Sequence, residues 1–392
     1  MIKYFDMFSG IGGFRLAFDK AGFKSIGFCE IDPHSRSLYK AYFDTNGEFE
    51  IYDATKIKPE ELPDFDLLIG GFPCQAFSIA GKRRGFEDTR GTLFFDIVRI
   101  LSYKKPQYFL LENVKGLLSH NRGRTFATII KILTDIGYRV ELYLLVGELV
   151  SLTKQDARRV QLLNSKFFGV PQNRERVFIV GCLGGKCRGK IFPVSGIGAE
   201  NSNKIAKLQR HPLSKAESQG NRVYSTDGTS SCLTSQGGGQ GGKTGLYFIN
   251  KPRYDQYKDS DVVQTLKVAG DIPLMKVRNG TKKGFDEAQI GDGINLAYPQ
   301  SKTRRGRVGK KVSQTLDTHC QMGTIDGYRI RRLTPLECFR LQGFPDDMVT
   351  KARELGLSDN RLYKMAGNAV TVQVIETIAI KLMKAIQEDD NA

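Results

Sequence analysis

The sequence has no run approaching the roughly 18 apolar residues that a membrane-spanning helix needs. Its start, Met1-Ile2-Lys3-Tyr4, enters an apolar strand without a charged leader and hydrophobic segment. We therefore expect a cytoplasmic protein with no membrane partner. Histidine is scarce, with four scattered residues, and the seven cysteines are odd in number and irregular in spacing. That pattern argues against a disulfide framework and predicts reduced thiols. Cys182 and Cys187 come nearest to a metal half-site, yet no second pair follows at finger spacing, so no metal is expected. Acidic residues fall short of basic ones, 42 against 59, giving a net charge of +17. Such an excess attracts phosphates before any specific contact forms, although solubility alone is the plainer explanation. Its distribution favours a binding face: residues 182–329 hold 24 Lys/Arg against 12 Asp/Glu, so +12 of the +17 lies in that middle region.

What is present is length and alternation. A chain of 392 residues exceeds the usual size of one compact domain, which predicts two lobes. The first 185 residues alternate strand and helix signals: Tyr4–Phe8, Phe14–Ala21, Ser25–Glu30, His34–Phe43, Glu50–Tyr52 and Phe65–Ile69. They continue with a helix at Thr92–Ser102, a strand at Tyr108–Leu111, a helix at Arg124–Ile136, and strands at Arg139–Val146 and Arg176–Val180. This βαβα order predicts an α/β fold with a doubly wound, mostly parallel sheet. After Gly181 glycines crowd in, helical periodicity vanishes, and Gln236 to Gly242 reads as a flexible loop. Three short segments there look alike: Ser231-Cys232-Leu233-Thr234, Val263-Gln264-Thr265-Leu266 and Ser313-Gln314-Thr315-Leu316. Helical signals return at Thr334-Pro335, a cap followed by a first-turn proline, and at Ala369–Ile386. The expected organisation is a core of residues 1–185 plus 330–392, with a smaller, irregular, β-rich lobe of residues 186–329 inserted into it.

Several residues at predicted strand ends are able to carry chemistry. Cys74, in Gly70-Gly71-Phe72-Pro73-Cys74-Gln75, follows an apolar strand and opens a long glycine-bounded loop, which makes it a candidate nucleophile. Phe8-Ser9-Gly10-Ile11-Gly12-Gly13 leaves the first strand and opens the first helix, so backbone there can approach a nucleoside; a simple tight turn is the alternative. Arg15 stands where a dinucleotide fingerprint needs its third glycine, which counts against such a cofactor. Glu30 is placed to accept hydrogen bonds from ribose hydroxyls, and Asp53 ends the next strand similarly unless it merely caps a helix. Glu112 lies on the same rim as Cys74, where a buried carboxyl can keep its proton; a turn is the alternative. Arg174 and Arg176 either reach this rim or form a solvated charge run. Asn368 precedes the last helix as an N-cap would.

In combination these blocks closely resemble the DNA (cytosine-5) methyltransferase family. The resemblance rests on the Phe8 to Phe14 turn, Phe72-Pro73-Cys74-Gln75, Glu112-Asn113-Val114 and Gln172-Asn173-Arg174-Glu175-Arg176. Arg332-Leu333-Thr334-Pro335 with Leu341-Gln342-Gly343-Phe344-Pro345, and Gly367-Asn368-Ala369-Val370, complete it. It implies a Rossmann-like S-adenosylmethionine methyltransferase fold, a double-stranded DNA substrate, and S-adenosyl-L-methionine as cofactor. Cys74 would add to C6 of a flipped cytosine, with Glu112 at the N3 edge and Arg174 and Arg176 steadying acid and base. The cofactor would lie on Phe8, Ser9, Gly10, Ile11, Gly12 and Gly13, with Phe8 against adenine. Glu30 and Ile31 would sit at the ribose, Asp53 and Ala54 near the adenine amino group, and Pro73, Asn368, Ala369 and Val370 would complete the wall. The basic middle corresponds to the family's variable target-recognition region.

DNA contacts are expected from Gln75, Lys82, Arg83, Arg84 and Arg90 in the loop after Cys74, and from Gln236, Gly237, Arg304, Arg305 and Arg307 in the inserted lobe. Gly147 to Val160 departs from the simplest bacterial members as an extra polar segment. A monomer is expected, either orphan or paired with a separately acting restriction endonuclease. Three other readings stay open at this point: a tRNA cytosine-5 methyltransferase, a DNA-binding regulator on an inactive fold, and an NAD oxidoreductase.

Overall fold

The computed structural model describes residues 1–72, 93–141, 161–184, 191, 194, 209–210, 222–223, 263–266, 274–298, 301, 303–326 and 329–390. The chain opens with β1 (Lys3–Met7), α1 (Gly13–Lys20), β2 (Lys24–Cys29), α2 (Pro33–Tyr42), β3 (Phe49–Ile51) and β4 (Leu67–Gly71). It continues with α3 (Leu93–Lys104), β5 (Tyr108–Val114), α4 (Gly116–Ser119), α5 (Arg124–Asp135), β6 (Tyr138–Glu141), β7 (Gln161–Asn164), β8 (Gln172–Asn173) and β9 (Glu175–Leu183). Eight of these strands form one sheet in the order β3-β2-β1-β4-β5-β9-β6, with β7 also paired to β9. From β3 to β5 the pairs are parallel, whereas β9 runs antiparallel to β5, and β6 and β7 run antiparallel to β9. The sheet is thus mostly parallel with an antiparallel end. Periodicity specifies a strand and not its direction, so that end is not legible in the residue pattern.

Both faces of the sheet are covered, which is why β4 and the first four residues of β5 read as continuous apolar runs. One face carries Tyr4, Leu67, Ile69 and Leu110 against Phe14 and Phe18 of α1. The other carries Phe5, Met7, Leu68, Phe109 and Leu111 against Phe94 and Ile97 of α3 and Ile129 and Leu133 of α5. Cys29, Cys320 and Cys338 are free and buried. Cys182 is disulfide-bonded, contrary to the expectation of reduced thiols throughout.

Residues beyond 200 contribute short strands: β10 (Gln209–Arg210), β11 (Arg222–Val223), β12 (Val263–Leu266), β13 (Leu274–Arg278), β14 (Phe285–Ala288), β15 (Gly293–Asn295), β16 (Val308–Gly309), β17 (Ser313–Gln314), β18 (Met322–Asp326) and β19 (Arg329–Arg332). Met275, Val277, Ala288, Ile294 and Ile325 bury one another in a small separate core. Leu316, Cys320 and Met322 instead join the main core, although they precede residue 330. Two of the three look-alike segments are described, and they pair differently: β12 lies antiparallel to β13, and β17 parallel to β8.

The chain then forms α6 (Pro335–Leu341), α7 (Asp346–Glu354), α8 (Asp359–Asn368) and α9 (Val372–Asp390). Thr334 caps α6 as expected, accepting from Glu337 N at 3.2 Å while the Glu337 carboxylate accepts from Thr334 N at 2.8 Å. Helices α7 and α8 have no counterpart in the sequence reading. Asn368 ends α8 and caps nothing at its N-terminus; α9 begins at Val372, so the capping role suggested for Asn368 is corrected.

Candidate active site

Strand β5 delivers Glu112 to the carboxyl-terminal rim of the sheet, beside the end of β4. A Cβ placed on Gly71 would lie 3.0 Å from Glu112 Oε2 and 3.8 Å from Phe14, so a side chain here would press on the Glu112 carboxyl. Arg176 enters from the antiparallel strand β9, and its Nε lies 2.8 Å from Glu112 Oε1. Burial pushes the Glu112 carboxyl above its ordinary value, opposed by the charges of Arg176 and then Arg174. The neighbouring Asn113 is buried, and its amide donates to the carbonyl of Phe72 at 3.4 Å. It thereby tethers the residue from which the Pro73-Cys74 segment departs, a role absent from the sequence reading. Pro73 and Cys74 themselves lie outside the described residues.

Arg174, grouped with Arg176 in the sequence as catalytic, has a different task. It is buried and donates to the carbonyls of Leu316 at 3.0 Å, Gly367 at 3.0 Å and Ala369 at 2.7 Å. Burial, reinforced by the Arg176 charge, pushes its guanidinium well below the ordinary value. Gln172 bonds Leu341 O, Gln342 Oε1 and Leu316 N, while Thr371 joins Ser165 and Gln342. These polar side chains knot together blocks that are distant in sequence. A glutamine between a proline and an asparagine carries no local sign of that role.

The glycine turn is built as the sequence suggests, with one addition. Phe8, a non-glycine residue, takes φ 58°, followed by Gly10 at 57° and Gly12 at 87°. A Cβ on Gly10 would meet nothing within 4 Å, whereas one on Gly12 would strike Phe43 at 2.2 Å. One on Gly13 would lie 2.8 Å from Val370, so the last block closes over this turn. Ile11 is buried in the core. Glu30 accepts from Gly10 N at 2.8 Å and from Asp32 N at 2.7 Å, which fixes its carboxylate while leaving lone pairs on each oxygen. Burial raises its pKa, against those two hydrogen bonds.

Ile31 beside it is 70% exposed, an apolar side chain left uncovered. The buried Ser9 hydroxyl has no partner among the described residues. Open space at Gly10, an unpaired hydroxyl, an acid and an exposed apolar surface together fit a nucleoside-type cofactor. Asp53 accepts from Thr55 N at 3.0 Å and Thr55 Oγ1 at 2.8 Å, so it does cap a short helical turn that holds the buried Ala54. Asn368 is exposed, and Ala369 is half-buried next to it.

Two charged groups near the turn escape the sequence reading. Arg15, which the sequence shows only as a missing glycine, is buried and bonds Glu48 at 2.7 Å, Tyr39 Oη at 3.3 Å and Asp44 O at 2.7 Å. Asp6 in β1 is fully buried, and neither carboxyl oxygen has a partner among the described residues. Burial pushes its pKa well above the ordinary value, with Arg15 opposing. An acid inside an otherwise apolar strand is its only signal.

The whole chain, and not only these blocks, matches known proteins. The family described as C-5 cytosine-specific DNA methylase matches residues 2–384. The chain belongs to this family. It is 31% identical to the orphan methyltransferase M.Rho11sI of Bacillus phage rho11s, covering 100% of this chain and 99% of that protein. It is 32% identical to the type II methyltransferase M.BanI of Aneurinibacillus aneurinilyticus, covering 96% and 94% respectively. Among solved structures, the S. pombe Dnmt2 methyltransferase superposes with a TM-score of 0.53 at 16% identity, covering 98% of this chain and 99% of that one. This last likeness supports the methyltransferase fold alone. As a member of the C-5 cytosine methylases the chain is a methyltransferase, and its family implies DNA as substrate and a methyl donor.

Of the residues expected on DNA in this methylase, Gln75, Lys82, Arg83, Arg84, Arg90, Gln236 and Gly237 lie outside the described residues, as does Gly147 to Val160. Arg305 is exposed and Arg304 half-buried. Arg307 is corrected. It is 1% exposed, and its guanidinium donates to the carbonyls of Asn295, Ala297 and Tyr298, so the side chain is unable to reach a phosphate. Among the described residues no helix is long and apolar enough to cross a membrane, and no group of three His, Cys, Asp or Glu side chains is placed to hold a metal.

Proposed function

We propose that this chain is a sequence-specific DNA (cytosine-5) methyltransferase that flips a cytosine out of duplex DNA and attacks its C6 through Cys74. The observation that carries the reading is the ion pair between buried Glu112 and half-buried Arg176, 2.8 Å apart, on the rim that β4 reaches just before Pro73 and Cys74. Addition of the Cys74 thiolate to C6 breaks the ring's aromaticity and places electron density on C5. Glu112, its proton favoured by burial, hydrogen-bonds the N3 edge and stabilises the charge that addition develops there, while Arg176 holds the acid in position. S-adenosyl-L-methionine, when bound on the Phe8 to Gly13 turn with Glu30 and Asp53, supplies the methyl group. Loss of the C5 proton then expels the Cys74 thiolate and restores the ring. Reaching C6 requires unstacking the target base, at a cost of about a few kcal/mol.

Residues 186–329 act in this reading as the target-recognition region, their charge excess supplying the nonspecific attraction to the duplex. The chain acts as a modification methylase of restriction-modification or orphan type. The direct experiment is to expose plasmid DNA to the protein with S-adenosylmethionine and map 5-methylcytosine by sequencing. Methylation confined to one cytosine of a short motif is expected. Methylation without sequence context, or of tRNA alone, contradicts the proposal.

A further inference from the structure

The segment between β15 and β16 carries a feature that the transfer chemistry does not use. Tyr298 holds φ 51°, in the left-handed region that penalises any residue with a Cβ, and its side chain is 74% exposed. The left-handed backbone costs the segment stability, and a ring this exposed buries little apolar area to offset it. Strain of this kind persists only where the surroundings enforce it. The enforcement is visible: the Tyr298 carbonyl accepts from Ser301 N at 3.0 Å and from the buried Arg307 guanidinium. Arg307 also takes the carbonyls of Asn295 and Ala297, both at 3.1 Å, so one guanidinium pins three carbonyls along the path leading to Tyr298. Asn295 Oδ1 adds a bond from Ala297 N at 3.0 Å.

The surroundings are cationic. The Arg304 guanidinium lies 5.6 Å from the centre of the Tyr298 ring, and Arg305 and Lys311 are exposed in the same stretch of chain, whereas the Lys310 ammonium is held by Asp292 at 2.9 Å. An exposed ring on a preorganised backbone among cations suits an anionic polymer whose grooves also present base edges and thymine methyl groups, which describes duplex DNA and not an apolar protein surface.

We propose that Tyr298 is a specificity-determining residue: its ring packs against the groove-exposed edge of a base of the recognition sequence, with Arg307 as the positioning residue that holds it out and Arg304 bridging ring and phosphate. This rests on the reading of the chain as a DNA methyltransferase. The ring supplies contact area on the base, and its rigid mounting removes the entropy loss that a flexible loop incurs on binding.

The test uses the full-length protein and the recognition duplex defined by mapping its methylated cytosines. Tyr298→Ala is expected to lower kcat/KM on that duplex about tenfold, carried by KM, and to relax the discrimination against duplexes altered at one base pair. Tyr298→Phe keeps the ring and is expected to stay within about twofold of the parent. Tyr298→Gly relieves the left-handed strain, so it should lose DNA affinity as the alanine variant does while melting no lower than the parent. Parental KM and sequence preference in Tyr298→Ala would overturn the proposal, as would a phenylalanine variant as weak as alanine, or a loss confined to kcat. Should the parent transfer no methyl group to duplex DNA, the functional reading fails by itself. Fluorescence anisotropy with labelled duplex DNA then still decides whether Tyr298 is a DNA contact.

Discussion

Replacing Arg176 by methionine removes the cation 2.8 Å from Glu112 while keeping much of the side chain's volume. Glu112 is 8% exposed, so a carboxylate left there without its partner faces the penalty of an uncompensated buried charge, about 3–5 kcal/mol if it stays ionised. It has a cheaper escape, which is to keep its proton. The cost then becomes about 1.4 kcal/mol for each unit by which the pH exceeds its unfolded pKa, until the folded pKa is reached. The parent's Glu112 is already raised by burial and restrained by Arg176, so the variant's folded pKa moves further up. A raised folded pKa gives stability that is fully present below the unfolded value and lost as pH rises through the folded one. The stability gap between parent and Arg176→Met should therefore be small near the unfolded carboxyl value, about pH 4 to 5, and widen toward neutral and alkaline pH, saturating above the variant's folded pKa. Urea denaturation across that range measures it. In a Glu112→Gln background the pH-dependent part of the gap should vanish, since no proton remains to be held. A gap independent of pH, or one that survives unchanged in the Glu112→Gln background, refutes the claim that Arg176 acts chiefly on the Glu112 charge.

Asp6 offers a related test of opposite sign for mutation. Its folded pKa lies well above the ordinary 3.8, so the native state loses stability as pH rises from about that value. Asp6→Asn should be at least as stable as the parent near neutral pH and lose that advantage below about pH 4, read from thermal melts; a parent that is clearly the more stable at neutral pH contradicts this. Gly367→Ala would drive a Cβ to within 2.1 Å of Asp317 O, a backbone atom with no rotamer to yield. It should cost roughly 1–3 kcal/mol in urea unfolding, and an unchanged midpoint would contradict the packing described.

Much of the chemistry was legible because it is written in residues that stand out locally. The Phe8 to Gly13 turn, Glu30 and Glu112 each sit where an apolar run ends, and the structure brings Val370 against Gly13 and Phe14 toward Gly71 on that rim. What escaped was written in partners far along the chain. Arg307 and Arg174 read as charges for solvent or ligand, yet both are buried on carbonyls, and only the tertiary path supplies those acceptors. Asn113 and Gln172 were invisible for the same reason: an amide's role is set by which carbonyl comes to lie beside it. Helices α7 and α8 are short and polar on one side, so neither announced itself between Pro345 and Val370. The antiparallel entry of β9, which brings Arg176 to Glu112, is a property of chain direction that residue patterns do not encode.

Everything in the proposed reaction depends on a covalent bond between Cys74 and C6 of the target cytosine. The most direct measurement is denaturing electrophoresis of the protein with S-adenosylmethionine and duplex DNA carrying 5-fluorocytosine at the methylated position, where fluorine replaces the C5 proton that must leave. A stable protein–DNA adduct is expected from the parent and none from Cys74→Ser. Absence of the adduct in the parent, or an undiminished adduct in Cys74→Ser, would contradict it.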